Sequence, residues 1–248
     1  MPLPAVPSIA LQAGFILLAL VLGMWWVFAA GRVYAADSGG RWNVSKAIVG
    51  LGVFLLWGVF LFGVSQQKWA HGFDSFPPPA VRVFLVLLFI TTMIAFSSIG
   101  RKLGEGLPMI WLVGFQVFRL PTEMLIHQAA NAGLAPVEMT FEGRNFDIIT
   151  AVLALVLVLV LRRGEVPAKW IMGWNILGLL LLLNVVITAI MAMPHPMQIF
   201  ETTPPNVWVT YFPFILLPGV LVCSALLGHF LVFRALAAQR RTKPTETL

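Results

Sequence analysis

The chain has 248 residues, of which 59% are hydrophobic and only 10% are charged, and its mean hydropathy is +0.91. An average globular chain carries about 25% charged residues, so this composition leaves too little polar surface for a water-soluble globule. We therefore predict a membrane protein in contact with a lipid bilayer, and we assign the net charge of +6 to membrane loops rather than to nucleic-acid binding. The single cysteine, Cys223, excludes an intrachain disulfide.

Seven apolar segments reach or approach the roughly 20 residues that a membrane-crossing helix requires. The fifth segment is the shortest and needs its flanking residues to cross. We therefore predict an all-α membrane protein, with one seven-transmembrane helix bundle over residues 1–236 and a polar, basic tail over residues 237–248. The predicted spans are approximately 9–30, 47–65, 80–99, 107–128, 147–162, 170–193 and 208–233.

The positions of the basic residues predict the orientation of this bundle. Short cytoplasmic loops carry an excess of Lys and Arg, and twelve of the sixteen basic residues follow spans one, three, five and seven. The N-terminal segment before span one has no charged side chain, and no cleavable signal peptide is evident. We predict a multi-pass protein of the bacterial inner (cytoplasmic) membrane, with its N-terminus outside and its C-terminus in the cytoplasm. The twelve residues are Arg32, Arg41, Lys46, Arg101, Lys102, Arg162, Arg163, Lys169, Arg234, Arg240, Arg241 and Lys243.

Span four carries a stripe of polar residues at intervals of three or four, which places them on one face of a helix. We expect Arg119 and Glu123 to pair, and Pro121 between them to interrupt the helix near Val117. Such a pair is explained either by an interhelical link or by a binding site, because broken spans tend to lie at cavities. The stripe consists of Gln116, Arg119, Glu123, His127 and Asn131.

Further polar residues lie in the loop that follows span four. Glu142 and Arg144 are predicted to form either a surface salt bridge or a lid over the stripe, whereas Asn145 and Asp147 suit the start of the next helix as caps. Asn184, near the middle of span six, is expected to face the stripe. Together with the stripe, Glu142, Arg144 and Asn184 are our candidate ligand-binding residues.

Three of the four histidines, His71, His127 and His195, lie at the predicted outer face. If they converge with nearby carboxylates, they suit zinc or another divalent metal, although no close-spaced histidine motif supports this. The fourth, His229, is expected to reach the cytoplasmic interface. A haem ligated by two histidines is not expected, because no second histidine lies at a matching depth.

Comparison with known seven-span proteins excludes retinal as a cofactor. A retinal protein needs a lysine in span seven, and residues 208–233 contain none. The histidine spacing of seven-span ceramidase-like hydrolases is also missing, and the three-one-three plan of sugar transporters would make span four a simple linker. The run RLPTEMLIHQAANAGLAPVEMTFEGRNFDI, Arg119 to Ile148, resembles a stretch of bacterial inner-membrane proteins without assigned function, and the resemblance implies no chemistry.

Three functions are compatible with these patterns. The leading hypothesis is an outward-facing polar pocket on span four that binds or transports a small molecule or ion. The first alternative is a metal-dependent hydrolase acting on an amphiphilic substrate, and it requires the outer histidines to meet. The second is an accessory or structural subunit whose stripe contacts a membrane-protein partner. Whether the chain is an enzyme is not decided by the sequence, and we favour a non-enzyme.

Overall fold

A computed structural model describes residues 1–36 and 44–242, and this part of the chain is helical, without strands. Arg41 and Lys243, two of the twelve basic residues that predict the orientation of the bundle, lie outside the described residues. The α-helices are α1 (Ile9–Ala36), α2 (Val44–Ser65), α3 (Pro79–Phe96), α4 (Ser98–Gly106), α5 (Met109–Phe115), α6 (Arg119–Asn131), α7 (Ile148–Leu161), α8 (Ala168–Met191) and α9 (Cys223–Thr242).

Within the described ranges, six helical segments are long and apolar enough to cross a membrane, which is the pattern of a multi-pass membrane protein. Two of them combine shorter pieces. The fourth segment joins α5 to α6 through a 3₁₀ turn, Gln116–Phe118, and the last segment begins with a π-helical turn, Leu217–Val222, that runs into α9. The predicted fifth span corresponds to α7, an apolar helix of only 14 residues.

The predicted third span is too long, because the chain turns at Ser97. The Ser97 hydroxyl oxygen accepts hydrogen bonds from the backbone N–H groups of Ile99 and Gly100, which starts α4 as a separate helix. A Cβ atom on Gly100 would lie 2.1 Å from the carbonyl oxygen of Ala95, so this tight junction requires glycine.

The predicted seventh span begins too early and ends too soon. Residues 208–216 include Pro213 and contain only a short 3₁₀ turn, Trp208–Thr210; a π-helical turn then starts at Leu217 and regular α-helix starts at Cys223. The helix then continues to Thr242, so that residues 237–242 of the predicted polar tail belong to α9.

The N-terminus and the connections that follow α2, α6 and α8 meet at one end of the bundle, which we call the loop face. The Met1 amino group donates to the carbonyl oxygen of His71, and Phe76 packs against His195. The opposite end, which we call the basic face, carries the ends of α1 and α9 and the start of α2. There the Arg234 guanidinium donates to the carbonyl oxygen of Ala95 at 3.0 Å.

The core has two apolar parts, one towards each face. Phe15, Trp208 and Phe214 pack edge to face or tilted towards the loop face, and a second group around Leu112 and Leu231 lies towards the basic face. The buried polar side chains described next lie between these two groups.

Candidate functional site

Interrupted helices meet near the middle of the bundle. The 3₁₀ turn at Gln116–Phe118 separates α5 from α6 and contains Val117, the residue whose carbonyl Pro121 is expected to displace. The π-helical turn Leu217–Val222 contains Pro218. Non-regular backbone of this kind is tolerated at membrane depth where protein surrounds it or where it lines a cavity.

The segment between α6 and α7, residues 132–147, returns deep into the bundle. Asp147 forms a salt bridge with Arg119, and Arg119 lies ~18 Å along α6 from Asn131, at ~1.5 Å per residue. We call residues 132–147 the re-entrant segment. Because α7 starts at that depth, its 14 residues cross only the remaining part of the bundle.

Asn145 holds this segment in place. Its side-chain amide donates to Glu123 Oε2 at 2.7 Å and to the carbonyl oxygen of Met139 at 3.0 Å, and its Oδ1 accepts from the backbone N–H of Asp147. Asn145 is fully buried, so it fixes the depth of the re-entrant segment against α6.

The predicted Arg119–Glu123 pair is replaced by a different pairing. Asp147 occupies the N-cap position of α7 but makes no capping hydrogen bond with its side chain, because its carboxylate binds the Arg119 guanidinium and the Thr150 hydroxyl. Glu123 instead accepts a hydrogen bond from the neutral Asn145 amide. The sequence pattern along one helix could not show that the chain brings a second carboxylate back to the depth of Arg119.

The prediction that His229 reaches the cytoplasmic interface is wrong. Its side chain is fully buried; Nε2 lies 3.1 Å from Arg119 Nη2, and Nδ1 lies 2.8 Å from Asn175 Oδ1. The Asn175 amide nitrogen donates to the carbonyl oxygen of His229, so Asn175 Oδ1 is the acceptor for an N–H at Nδ1. The remaining nitrogen, Nε2, then accepts from Arg119, which assigns His229 as the neutral tautomer.

These residues form one continuous buried network, which we call the polar cluster. Gly178 of α8 allows its close packing, since a Cβ atom there would lie 2.6 Å from both His229 and Thr150. The exposed fraction is 2% for both Arg119 and Glu123. The polar cluster consists of Arg119, Glu123, Asn145, Asp147, Asn175 and His229.

A small cavity of about 20 Å³ adjoins the polar cluster. Its lining includes Arg119, Thr122, Glu123 and Asp147, with apolar side chains from α8, the π-helical turn and α9. A cavity of this volume has room for one water molecule. Within the described residues the buried Arg119 Nε has no hydrogen-bond partner.

The other predicted ligand-binding residues do not join the polar cluster. Gln116 is buried and donates to the carbonyl oxygen of Ala225, and the half-buried His127 stacks on Phe141. Asn131 is exposed. The predicted stripe therefore divides into a buried inner part and a surface part.

Glu142 and Arg144 do not form the predicted lid over the stripe. Glu142 and Arg144 are exposed, and the Arg144 guanidinium lies over the Phe200 ring, 4.5 Å from its centroid. Asn184 donates to the carbonyl oxygen of Arg144 at 2.7 Å instead of facing Arg119. The part of this loop that reaches the stripe is Asn145–Asp147, one to three residues beyond Arg144.

The structure does not bring the three histidines of the predicted metal site together. His71 contacts the Thr210 hydroxyl and the Ser65 carbonyl, His195 binds backbone groups of Ile190 and Met197, and His127 stacks on Phe141. Burial lowers the pKa of His71, partly offset by its bond to Ser65. Across residues 1–36 and 44–242, no three His, Cys, Asp or Glu side chains form a group that could hold a metal ion.

Sequence reasoning missed four members of the polar cluster. Asn145 and Asp147 were assigned only to capping, Asn175 was not singled out, and His229 was placed at an interface. The available signal was the presence of Asn175 and His229 inside otherwise apolar spans, where polar groups need a partner.

Comparison with known proteins identifies a family but no activity. A search of curated proteins and a search of solved structures found no match. A family model described as a domain of unknown function, DUF8737, matches residues 77–237. The matched region contains the whole polar cluster, the re-entrant segment and the π-helical turn. Because the match covers 161 of the 248 residues, the chain belongs to this family, DUF8737.

Proposed function

We propose that this membrane protein binds a proton at Glu123 and passes protons through its bundle. The observation that carries the proposal is the environment of Glu123. Its carboxylate is buried, accepts a hydrogen bond from the neutral Asn145 and borders the cavity where interrupted helices meet. Ionisable residues at such depth are expensive and are characteristic of ion and proton pathways.

The charges of the polar cluster support a proton as the bound ion. Asp147 compensates Arg119, and His229 is neutral, so an ionised Glu123 leaves one negative charge uncompensated. A buried unpaired charge is strongly unfavourable, and one proton on Glu123 removes it. The cavity volume of about 20 Å³ favours a proton or a water molecule over a larger solute.

The surroundings of the cavity support exchange towards the loop face. An apolar cavity of about 80 Å³ lies on that side and shares Ile126, Val185, Leu217 and Val222 with the lining of the small cavity beside Glu123. Two of these residues belong to the π-helical turn, and π-helical turns are frequent at functional sites. We propose that movement of this turn connects Glu123 with the loop face, the predicted outer side of a cytoplasmic membrane.

Proton flux into liposomes tests this function. The purified protein is reconstituted with a pH-sensitive dye inside, and a potassium gradient with valinomycin drives protons inward. We expect flux with the native protein and a protein-free level with Glu123→Gln, because the amide cannot take up a proton. The control, Glu138→Gln, removes a half-buried carboxylate of the same connection and should leave the flux unchanged.

Infrared spectroscopy tests the binding step separately from the flux. The native protein should show the C=O stretch of a protonated carboxylic acid at neutral pH, and Glu123→Gln should remove that band. A native protein without flux would refute proton passage, and an unchanged band in Glu123→Gln would refute Glu123 as the acceptor. An inactive protein that retains another membrane protein in stoichiometric amounts would favour the accessory-subunit hypothesis.

A further inference from the structure

Two residues of α2 contact the π-helical turn. The indole nitrogen of Trp57 donates a hydrogen bond to the carbonyl oxygen of Gly219 at 2.8 Å. Leu61 lies one helical turn further along the same face of α2 and is fully buried. A Cβ atom on Gly219 would lie 2.7 Å from the Leu61 side chain, so glycine at this position allows α2 to approach the backbone of the turn closely.

The bond from Trp57 reinforces a turn whose own hydrogen bonding is incomplete. Pro218 has no backbone N–H, so the turn lacks one of the donors of a regular helix. The Cys223 thiol donates to the carbonyl oxygen of Pro218 at 3.4 Å, but a thiol is a weak donor. The distance of 2.8 Å at Gly219 is at the short end for an N–H···O bond, so the Trp57 indole is the stronger of these two side-chain donors.

The π-helical turn contributes to the walls of both cavities near the proposed proton path. Leu217 and Val222 line both the small cavity beside Glu123 and the apolar cavity towards the loop face. Gly219 also lines the apolar cavity. Because the donor lies on α2 and the acceptor lies in the turn, a movement of the turn away from α2 breaks the bond between Trp57 and Gly219.

We propose that Trp57 is a positioning residue that holds the π-helical turn in its closed position. Release of its N–H from Gly219 lets the turn move and connects Glu123 with the loop face. The lining of the small cavity does not include Trp57, so Trp57 acts on the proton path through the turn. This role rests on the proposed proton passage, whereas the hydrogen bond holds the turn whether or not protons pass.

A tryptophan analogue tests this hydrogen bond without changing the shape of the side chain. Benzothienylalanine, in which sulfur replaces the indole N–H, is incorporated in place of Trp57 in the full-length protein. Hydrogen exchange of the backbone amides in residues 217–222 is then measured by mass spectrometry in lipid nanodiscs. We expect roughly fivefold faster exchange there, because one net hydrogen bond shifts an opening equilibrium by about that factor. Unchanged exchange in this segment would overturn the proposal.

Trp26 provides the matched control. Its indole nitrogen donates to the Ser224 hydroxyl at 3.2 Å, in the regular helix α9 rather than in the turn. The same analogue in place of Trp26 should leave the exchange of residues 217–222 unchanged, and Trp57→Phe, which also lacks the N–H, should reproduce the effect of the analogue at Trp57. Equal acceleration by the replacements of Trp57 and Trp26 would overturn the specific role of Trp57.

Proton flux into liposomes tests the effect of Trp57 on the path. We expect the analogue in place of Trp57 to raise the flux by up to roughly fivefold, because the turn opens more often. Loss of a merely structural contact would lower the flux or leave it unchanged, so faster exchange without a higher flux would overturn the role of Trp57 in opening the path. A native protein without flux would instead refute the proposed proton passage, and the exchange measurement would still decide whether Trp57 holds the turn.

Discussion

Asp147 supplies the negative charge that compensates Arg119 inside the bundle. Its replacement by asparagine keeps the shape of the side chain but leaves the guanidinium without its carboxylate partner. Removing one partner of a buried ion pair costs about 3–5 kcal/mol, and we expect Asp147→Asn to lower the free energy of unfolding by that amount. The measurement is equilibrium unfolding in mixed micelles.

Glu142→Gln is the matched control for this loss. Glu142 is an exposed carboxylate of the same connection, and exposed substitutions usually change stability by less than about 0.5 kcal/mol. Equal destabilisation by the two variants would show that the Arg119–Asp147 pair has no special role in stability.

At the residue scale, the sequence identified the buried charges better than their partners. Because Arg119 is a charged residue in an apolar span, we expected its side chain to face protein or water rather than lipid. Its burial inside the bundle agrees with that expectation. Its partners Asp147 and His229 lie 28 and 110 residues away, on other elements. No helical spacing relates residues on different elements, so a single sequence could not pair them.

At the scale of elements, Gly178 determines how closely α8 approaches α7 and α9. Its carbonyl oxygen also lies 3.5 Å from Arg119 Nη1. We expect Gly178→Ala to destabilise the protein, because the added methyl group would overlap His229 and Thr150 at 2.6 Å. Overpacking of this kind costs about 1–3 kcal/mol, which a shift of the thermal melting temperature would report.

Gly173→Ala provides the comparison within the same helix. Gly173 has open space around its Cβ position, and alanine is favoured over glycine in a helix interior by up to about 1 kcal/mol. Gly173→Ala should therefore be neutral or stabilising. A Gly178→Ala variant as stable as Gly173→Ala would contradict the tight packing around the polar cluster.

The sequence predicts a helix well where a long run of apolar residues alone determines that the helix forms. The bounds of α2 and α8 lie within three residues of the predicted segments 47–65 and 170–193, and α1 starts at the predicted Ile9 but continues six residues beyond residue 30. The sequence was less informative where local chemistry ends a helix within an apolar run, as at Ser97, or where the chain folds back, as between Asn131 and Asp147. In the second case, the depth of the loop depends on the bond from Asn145 to Glu123 on α6.

At the scale of the whole molecule, we expect the re-entrant segment and α7 together to complete one passage from the loop face to the basic face. At ~1.5 Å per residue, α7 alone measures ~21 Å, which is shorter than the ~30 Å hydrocarbon core. The re-entrant segment ends at Asp147, which binds Arg119, and Arg119 lies ~18 Å along α6 from Asn131 at the same rise per residue. This segment would therefore cover the part of the membrane that α7 does not cross. This geometry predicts that Glu142 and Gly164 lie on opposite sides of the membrane.

Labelling with a membrane-impermeant maleimide tests that prediction and the orientation together. We expect Glu142→Cys to react from outside intact cells and Gly164→Cys to react only after permeabilisation, since the basic residues predict a cytoplasmic location for the loop after α7. Native Cys223 is buried, so the unmodified protein should show only background labelling. If both introduced cysteines react from the same side, α7 does not complete a crossing and the bundle has six spans. If only Gly164→Cys reacts from outside, the bundle crosses as described but the predicted orientation is reversed.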